Sequence, residues 1–163
     1  MKILIAMSAI AGAGKSTYAK HYKMNHTDEH VEIVSSDGIR KELTGVYNNL
    51  NFEKEVWELY FKRINTLRDA NDDIVIIADS TNIYNRFRQQ LGVIPGFDKK
   101  ILVVITKDLE LCLKKNRERD HAKYVPEDAI KRMYEKWEKV DEETAAMFDE
   151  VVYIDGWFDK FAI

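Results

Sequence analysis

Met7-Ser8-Ala9-Ile10-Ala11-Gly12-Ala13-Gly14-Lys15-Ser16-Thr17 sets two glycines, a lysine and two hydroxyls directly behind the apolar run Ile3–Ala6. A buried strand followed at once by flexible, polar residues needs a ligand to explain it, and a phosphate is the simplest. Small residues let backbone N–H groups curl around phosphate oxygens, and a helix starting behind them aims its positive end at the same point. The full pattern for such a loop is Gly, four residues, Gly, Lys and Ser or Thr. Its second half is present, and Ala9 stands where the first glycine is expected. The spacing assigns Gly12, Ala13, Gly14, Lys15, Ser16 and Thr17 to a nucleotide, with Lys15 reaching the β- and γ-phosphates and Ser16 holding Mg²⁺.

Working outward, short β-branched runs alternate with longer amphipathic stretches. The runs are Ile3–Ala6, Val31–Val34, Ile74–Ala78, Ile101–Ile105 and Val151–Ile154. Runs apolar almost throughout are strands covered on both faces, hence a parallel sheet. Helices are expected over Lys15–Lys23, Ser36–Leu43, Phe52–Ala70, Asn82–Leu91 and Asp108–Arg119. A sixth is expected over Pro126–Phe148, its stripe running from Ile130 through Trp137 to Phe148. Pro, Glu and Asp open that last stretch and signal its start. The alternation specifies a doubly wound α/β domain of about five parallel strands with flanking helices. The 163 residues carry no internal repeat or linker, so one domain is expected over 1–163.

Composition excludes other classes. A net charge of −3 argues against a general nucleic-acid coat protein, though not against a local basic cleft. No apolar run approaches the ~20 residues of a membrane span, and nothing at the start reads as a secretory signal. The lone Cys112 allows no internal disulfide and sits at helical spacing from Leu109 and Leu113, as a packing residue does. A cytoplasmic location is expected. The four histidines show no ligand spacing with cysteine or acid.

A phosphate loop identifies a nucleotide site, not a reaction. The Asn-Lys-x-Asp element of GTP switches is absent, and the third strand ends in a single acid, Ile77-Ala78-Asp79-Ser80-Thr81-Asn82, rather than paired acids. Small kinases remain. A kinase needs a carboxylate near the acceptor hydroxyl. Asp37 of Val34-Ser35-Ser36-Asp37-Gly38-Ile39-Arg40 stands at the end of the second strand, where ligand-facing residues of such sheets collect. Arg40 lies one helical turn on and suits a substrate phosphate; the alternative is a capping Asp37 beside a solvated Arg40. Cations for the moving phosphoryl group come from Lys114-Lys115-Asn116-Arg117-Glu118-Arg119-Asp120-His121-Ala122-Lys123, a charged hairpin between two helices that suits a lid around residues 117–125. Arg119 is its functional candidate, while Lys114 and Lys115 read as a solvated helix face. The aromatics Tyr47, Phe52, Trp57, Tyr60 and Phe61 could stack on bases or, equally, pack a core.

GAGKST, SSDGIR, IADSTN and KKNRERDHAKYVPEDAIKRMY stand in an order and spacing that resembles the kinase domain of phage-type polynucleotide 5′-kinases and related small P-loop kinases, over roughly residues 1–155. The resemblance implies ATP and Mg²⁺ at Lys15 and Ser16, Asp37 as general base for a 5′-hydroxyl, and Arg40 on the adjoining substrate phosphate. It further implies Arg119 acting on the ATP phosphates, and Asp79, Thr81 and Asn82 lining the acceptor site. The expected partner is a nucleic-acid 5′ end, with no membrane and no obligate protein partner. Two departures stand out: Ala9 in the loop, and Ser80 intervening where the family's third strand often ends Asp-Thr-Asn. An Asp-x-Asp phosphatase motif is absent, so no 3′-phosphatase activity is expected. The alternatives are a kinase of a nucleoside, sugar or antibiotic hydroxyl and, outside catalysis, a nucleotide-dependent binding protein.

Overall fold

The structure, a computed structural model, describes residues 1–155; the last eight residues of the expected domain lie outside them. Five strands form one parallel sheet: β1 (Lys2–Ser8), β2 (Val31–Ser35), β3 (Ile74–Asp79), β4 (Lys99–Thr106) and β5 (Glu150–Asp155), in the order β2-β3-β1-β4-β5. The register runs Ile5↔Ile77, Ile5↔Ile101, Ser35↔Asp79 and Thr106↔Asp155. The carboxyl ends of β1, β2 and β3 thus come together at one rim, where ligands bind in open α/β sheets.

Alternate side chains feed two cores, as the strand period of two requires. Ile5, Met7, Val75, Ile77, Val103 and Ile105 face one layer, packed with Ala19 of α1 (Lys15–Asn25), Cys112 and Leu113 of α5 (Leu109–Glu118) and Ile130 of α6 (Glu127–Lys136). Leu4, Ala6, Ile76, Ala78, Leu102 and Val104 face the other. There they meet Ile39 of α2 (Ser36–Thr44), Val56, Tyr60 and Ile64 of α3 (Glu53–Ala70) and Leu91 of α4 (Asn85–Gly92). Cys112 is a buried packing residue. No helix of the described residues is long and apolar enough to cross a membrane.

Two helix expectations are corrected. The helix expected from Asn82 begins at Asn85 instead, because Asn82 adopts φ 43°, a left-handed conformation that asparagine tolerates. The long helix expected over Pro126–Phe148 stops at Lys136 and resumes as α7 (Glu142–Ala146). Trp137 turns extended at ψ 121° and packs against both cores. The chain beyond it bonds to the turn before α4: Glu138 N–H donates to the Ile83 carbonyl at 2.9 Å, and the Asn85 amide to the Lys139 carbonyl at 2.9 Å. Those bonds outweigh the helical pattern.

That same turn is knotted around a buried arginine. Arg88 is fully buried and donates to the Ser8 hydroxyl, the Asn82 carbonyl and the Asn85 side chain, with its guanidinium 4.8 Å over the Trp137 ring. Burial pulls its pKa down from the usual arginine value. Among the described residues, neutral oxygens and a ring face rather than an ion pair compensate this charge.

Candidate active site

The donor side is built from one continuous stretch. Gly12 and Gly14 take φ of 84° and 106°. A Cβ on Gly12 would stand 2.5 Å from the Cys112 carbonyl oxygen, so only glycine lets the loop pass α5 this closely. Ala9 needs no such conformation; it is buried, and its N–H donates to the Thr81 carbonyl at 2.9 Å, tying the loop to the end of β3. Gly14 caps α1 without any side-chain bond to the first helical amides. These amides face a hollow of about 140 Å³ lined by Gly12, Gly14, Lys15, Ser16, Thr17, Lys107, Lys115 and Arg119. Glycine conformations, an uncapped helix start and converging cations fit a polyphosphate.

Two of those cations escape a linear reading. Lys107, in the turn after β4, reaches the Gly12 carbonyl at 3.5 Å. Lys115, read as a solvated helix face, instead lines the hollow and pairs with Glu118 at 3.7 Å. Lys107 had no sequence signal beyond its place at a strand end; Lys115 needed the direction of α5, which no motif encodes.

Next to the hollow lies a cleft of about 380 Å³, lined by Asp37, Asp79, Lys20, Tyr47, Asn48 and the segment Ala122–Val125, among others. Ser16, Thr17 and Arg119 line both spaces. Asp79 stands at the junction. It is buried, and the Ser16 hydroxyl donates to it at 3.1 Å. Burial pushes the Asp79 carboxyl above its ordinary range, opposed by the Lys15 charge and the Ser16 bond. The expected one-position displacement of this acid does not remove it from the site: Asp79 pairs with Ser35 in register and meets the loop serine. Ser16 and Asp79 are the hydroxyl–carboxylate pair that would hold Mg²⁺.

Asp37 rides on the first turn of α2, its side chain 60% exposed. The cap of that helix is Ser35, whose hydroxyl accepts the Gly38 N–H at 3.2 Å, so Asp37 is not the capping residue. Arg40 departs from expectation. It is only 6% exposed and does not line the cleft. Its guanidinium donates to Asp37 at 2.6 Å and in a two-pronged contact to Glu53 at 2.9 and 2.7 Å. These two carboxylates raise its pKa against the opposing effect of burial. Arg40 holds Asp37, and its guanidinium is engaged by two carboxylates rather than turned into the cleft. Glu53, at the start of α3, was legible only as an acid in a first helical turn.

The remaining expectations divide. Thr81 and Asn82 do not line the cleft; the Asn82 amide donates to the Met7 carbonyl at 2.7 Å and the Ser80 hydroxyl at 2.8 Å, holding the loop floor rather than an acceptor. Among the aromatics, Tyr60 is fully buried and bonded to Ser80 at 2.9 Å, and Trp57 and Phe61 pack against the core, while Tyr47 alone of the five lines the cleft. The segment 117–125 begins as the last two residues of α5 and continues as a loop with one 3-10 turn, His121–Lys123. Its base is closed by buried Asn116, which accepts the Val125 N–H at 2.9 Å, and by Arg117 on Glu127 at 2.7 Å.

Comparison with known proteins agrees with this architecture. The sequence matches the AAA domain family over residues 4–140. It is 27% identical over 149 residues to an L-seryl-tRNA(Sec) kinase of Methanococcus maripaludis, covering 83% of this chain and 52% of that protein, so the chain spans about half the length of this relative. Among solved structures, Kti12 of Chaetomium thermophilum, in complex with ADP-AlF3, has a TM-score of 0.66 at 13% identity, with 98% and 92% of the two chains covered. A fungal RNA kinase has a TM-score of 0.65 at 15% identity, with 93% and 38% covered. The phosphate loop, the five-stranded parallel sheet and the match over residues 4–140 place this chain in the AAA domain family, with the α/β fold of the P-loop kinases, a group that uses ATP with Mg²⁺.

Proposed function

We propose that this protein transfers the γ-phosphoryl group of ATP to a hydroxyl carried by a nucleic acid, with the polynucleotide 5′-hydroxyl as the leading acceptor. The observation that carries the proposal is the shared wall of the two spaces. Asp37 opens into the cleft, the uncapped start of α1 opens into the hollow, and Ser16, Thr17 and Arg119 border both. An acceptor hydroxyl beside Asp37 would meet the end of a triphosphate laid along the loop. The L-seryl-tRNA(Sec) kinase relative, named for an RNA-borne hydroxyl, supports an acceptor of this kind.

Each residue has a role that follows from its place. Lys15 and the loop amides bind the phosphates; Ser16 and Asp79 would hold Mg²⁺, which when bound offsets charge on the β- and γ-oxygens. Asp37 accepts the proton of the attacking hydroxyl and is aimed by Arg40, itself fixed by Glu53. Arg119, on the border, stabilises charge that develops during transfer.

One observation favours a second reading. A cleft of about 380 Å³ has the size of a small-metabolite site, so a sugar or nucleoside hydroxyl also fits. Labelled phosphate transfer from ATP decides among them, with 5′-hydroxyl RNA and DNA, seryl-tRNA, nucleosides and sugars as parallel acceptors. Transfer to 5′-hydroxyl oligonucleotides is expected. Transfer only to a small molecule would replace the proposal with the second reading. ATP binding with no transfer to any acceptor would make the protein a nucleotide-dependent binding protein.

A further inference from the structure

Arg40 commits its guanidinium to Asp37 and Glu53, which leaves a phosphate-bearing acceptor without its expected contact. The mouth of the cleft supplies another. Tyr47, in the loop between α2 and α3, gathers two lysines from separate elements. The Lys41 ammonium of α2 lies 4.8 Å from the Tyr47 ring centroid and donates to its hydroxyl at 3.4 Å. The Lys123 ammonium of the 3-10 turn lies 5.4 Å from the same centroid. Among the described residues neither lysine forms an ion pair with a carboxylate, whereas Arg40, Arg63 and Arg117 all do. Lys20, Tyr47 and Lys123 line the cleft, while Lys41 is outside its lining and is joined to it through Tyr47.

A ring face holds an exposed ammonium by about 0.5–1 kcal/mol and carries no net charge to neutralise it, so each lysine keeps its charge for an anion. The chain sets both against one ring, and that ring lines the cleft together with Asp37. We propose that Lys41 and Lys123, ordered by Tyr47, receive the phosphodiester that adjoins the reacting hydroxyl of a single-stranded nucleic acid. The assignment rests on the nucleic-acid reading of the cleft and deepens it: the acceptor is anionic one linkage from its hydroxyl, and it is recognised by backbone charge rather than by base sequence.

The test is direct binding of a short fluorescent 5′-hydroxyl RNA, followed by anisotropy across a salt series without ATP. Phosphate transfer to the same RNA is measured separately. Lys41→Ala and Lys123→Ala should each weaken binding about 3- to 10-fold and lower the slope of log affinity against log salt, and the double variant should lower it by about 0.7, the single-strand value for the one phosphate they share. Tyr47→Leu should lower the slope as well, and Tyr47→Phe, which keeps the ring face, should restore it. Lys62→Ala, an exposed lysine of α3, should leave the slope at the wild-type value. Slopes unchanged in both lysine variants, or no binding by the wild-type protein, would overturn the site. Binding and slopes as expected, with no phosphate transferred to RNA, would uphold this anion site and overturn the polynucleotide acceptor.

Discussion

The proposed donor and acceptor sides of this site are made in opposite ways. The donor side is one loop and one helix start, Gly12 to Thr17, whose backbone donors are left without side-chain caps. The acceptor side draws Asp37 from α2, Glu53 from α3, Tyr47 from the loop between them and Lys123 from beyond α5, and it ties its main charges to one another. A site for a polyphosphate works by offering unsatisfied N–H groups and cations. A site for proton abstraction works by immobilising one carboxylate, and the immobilising bonds come from distant residues.

The contrast can be broken at graded points. The largest effect should come from Asp37→Asn, which keeps the shape but not the base. Its turnover should fall about 10²- to 10⁴-fold while ATP affinity stays within about twofold, as read by phosphate transfer and a nucleotide-binding titration. Equal loss of ATP affinity would erase the division into two sides.

Gly12→Ala attacks the other side. With φ at 84° and a carbonyl 2.5 Å from the new Cβ, the loop must shift. About 1–3 kcal/mol of stability and most nucleotide binding should be lost, measured by denaturant unfolding and titration. Unchanged nucleotide affinity would show that loop shape does not set the donor site.

Glu53→Ala leaves the Arg40 guanidinium, 8% exposed, with Asp37 alone. Because Glu53 is itself about one-third exposed, a loss of only about 1–2 kcal/mol is expected. The kinetic signature is sharper: turnover should fall with the acceptor KM nearly unchanged, since Arg40 acts through Asp37. A rise in acceptor KM alone would return Arg40 to the substrate.

Asp79→Asn separates stability from function. The raised pKa of Asp79 means the folded state keeps its proton longer than the unfolded chain does. Its contribution is therefore favourable below the ordinary carboxylate range and is lost as pH rises through the folded pKa. The asparagine variant should gain Tm relative to wild type as pH rises above the ordinary carboxylate range, yet lose the rise in Tm that Mg²⁺ with ATP produces. A smaller effect belongs to Tyr60→Phe, which removes the buried bond to Ser80 and should cost about 0.5–1.5 kcal/mol without altering turnover.

The sheet and the donor loop were legible because their signals are local. Each strand is a short apolar run whose neighbours need not be known, and the glycines, lysine and hydroxyls of the loop act through their own backbone. Asp37 was legible for the same reason, as a polar residue at a strand end. The pairing of Arg40 was not legible because its partner Glu53 lies on another helix, thirteen residues away, and sequence spacing says nothing of which face that helix presents. Trp137 ended a helix that its own periodicity favoured, because bonds to the turn at Ile83 and Asn85 reward an extended chain there.

From its sequence alone this chain determined a glycine loop behind the first strand, a parallel sheet and a carboxylate just past the second strand, since backbone conformation and hydrophobic period are properties of adjacent residues. Only the tertiary structure decided which cations face the ligand and which are consumed inside: Lys107 and Lys115 turn toward the loop, Arg40 and Arg88 turn away. The physical reason is that a long charged side chain takes its direction from the nearest compensating oxygen, and those oxygens are brought near by packing rather than by order along the chain.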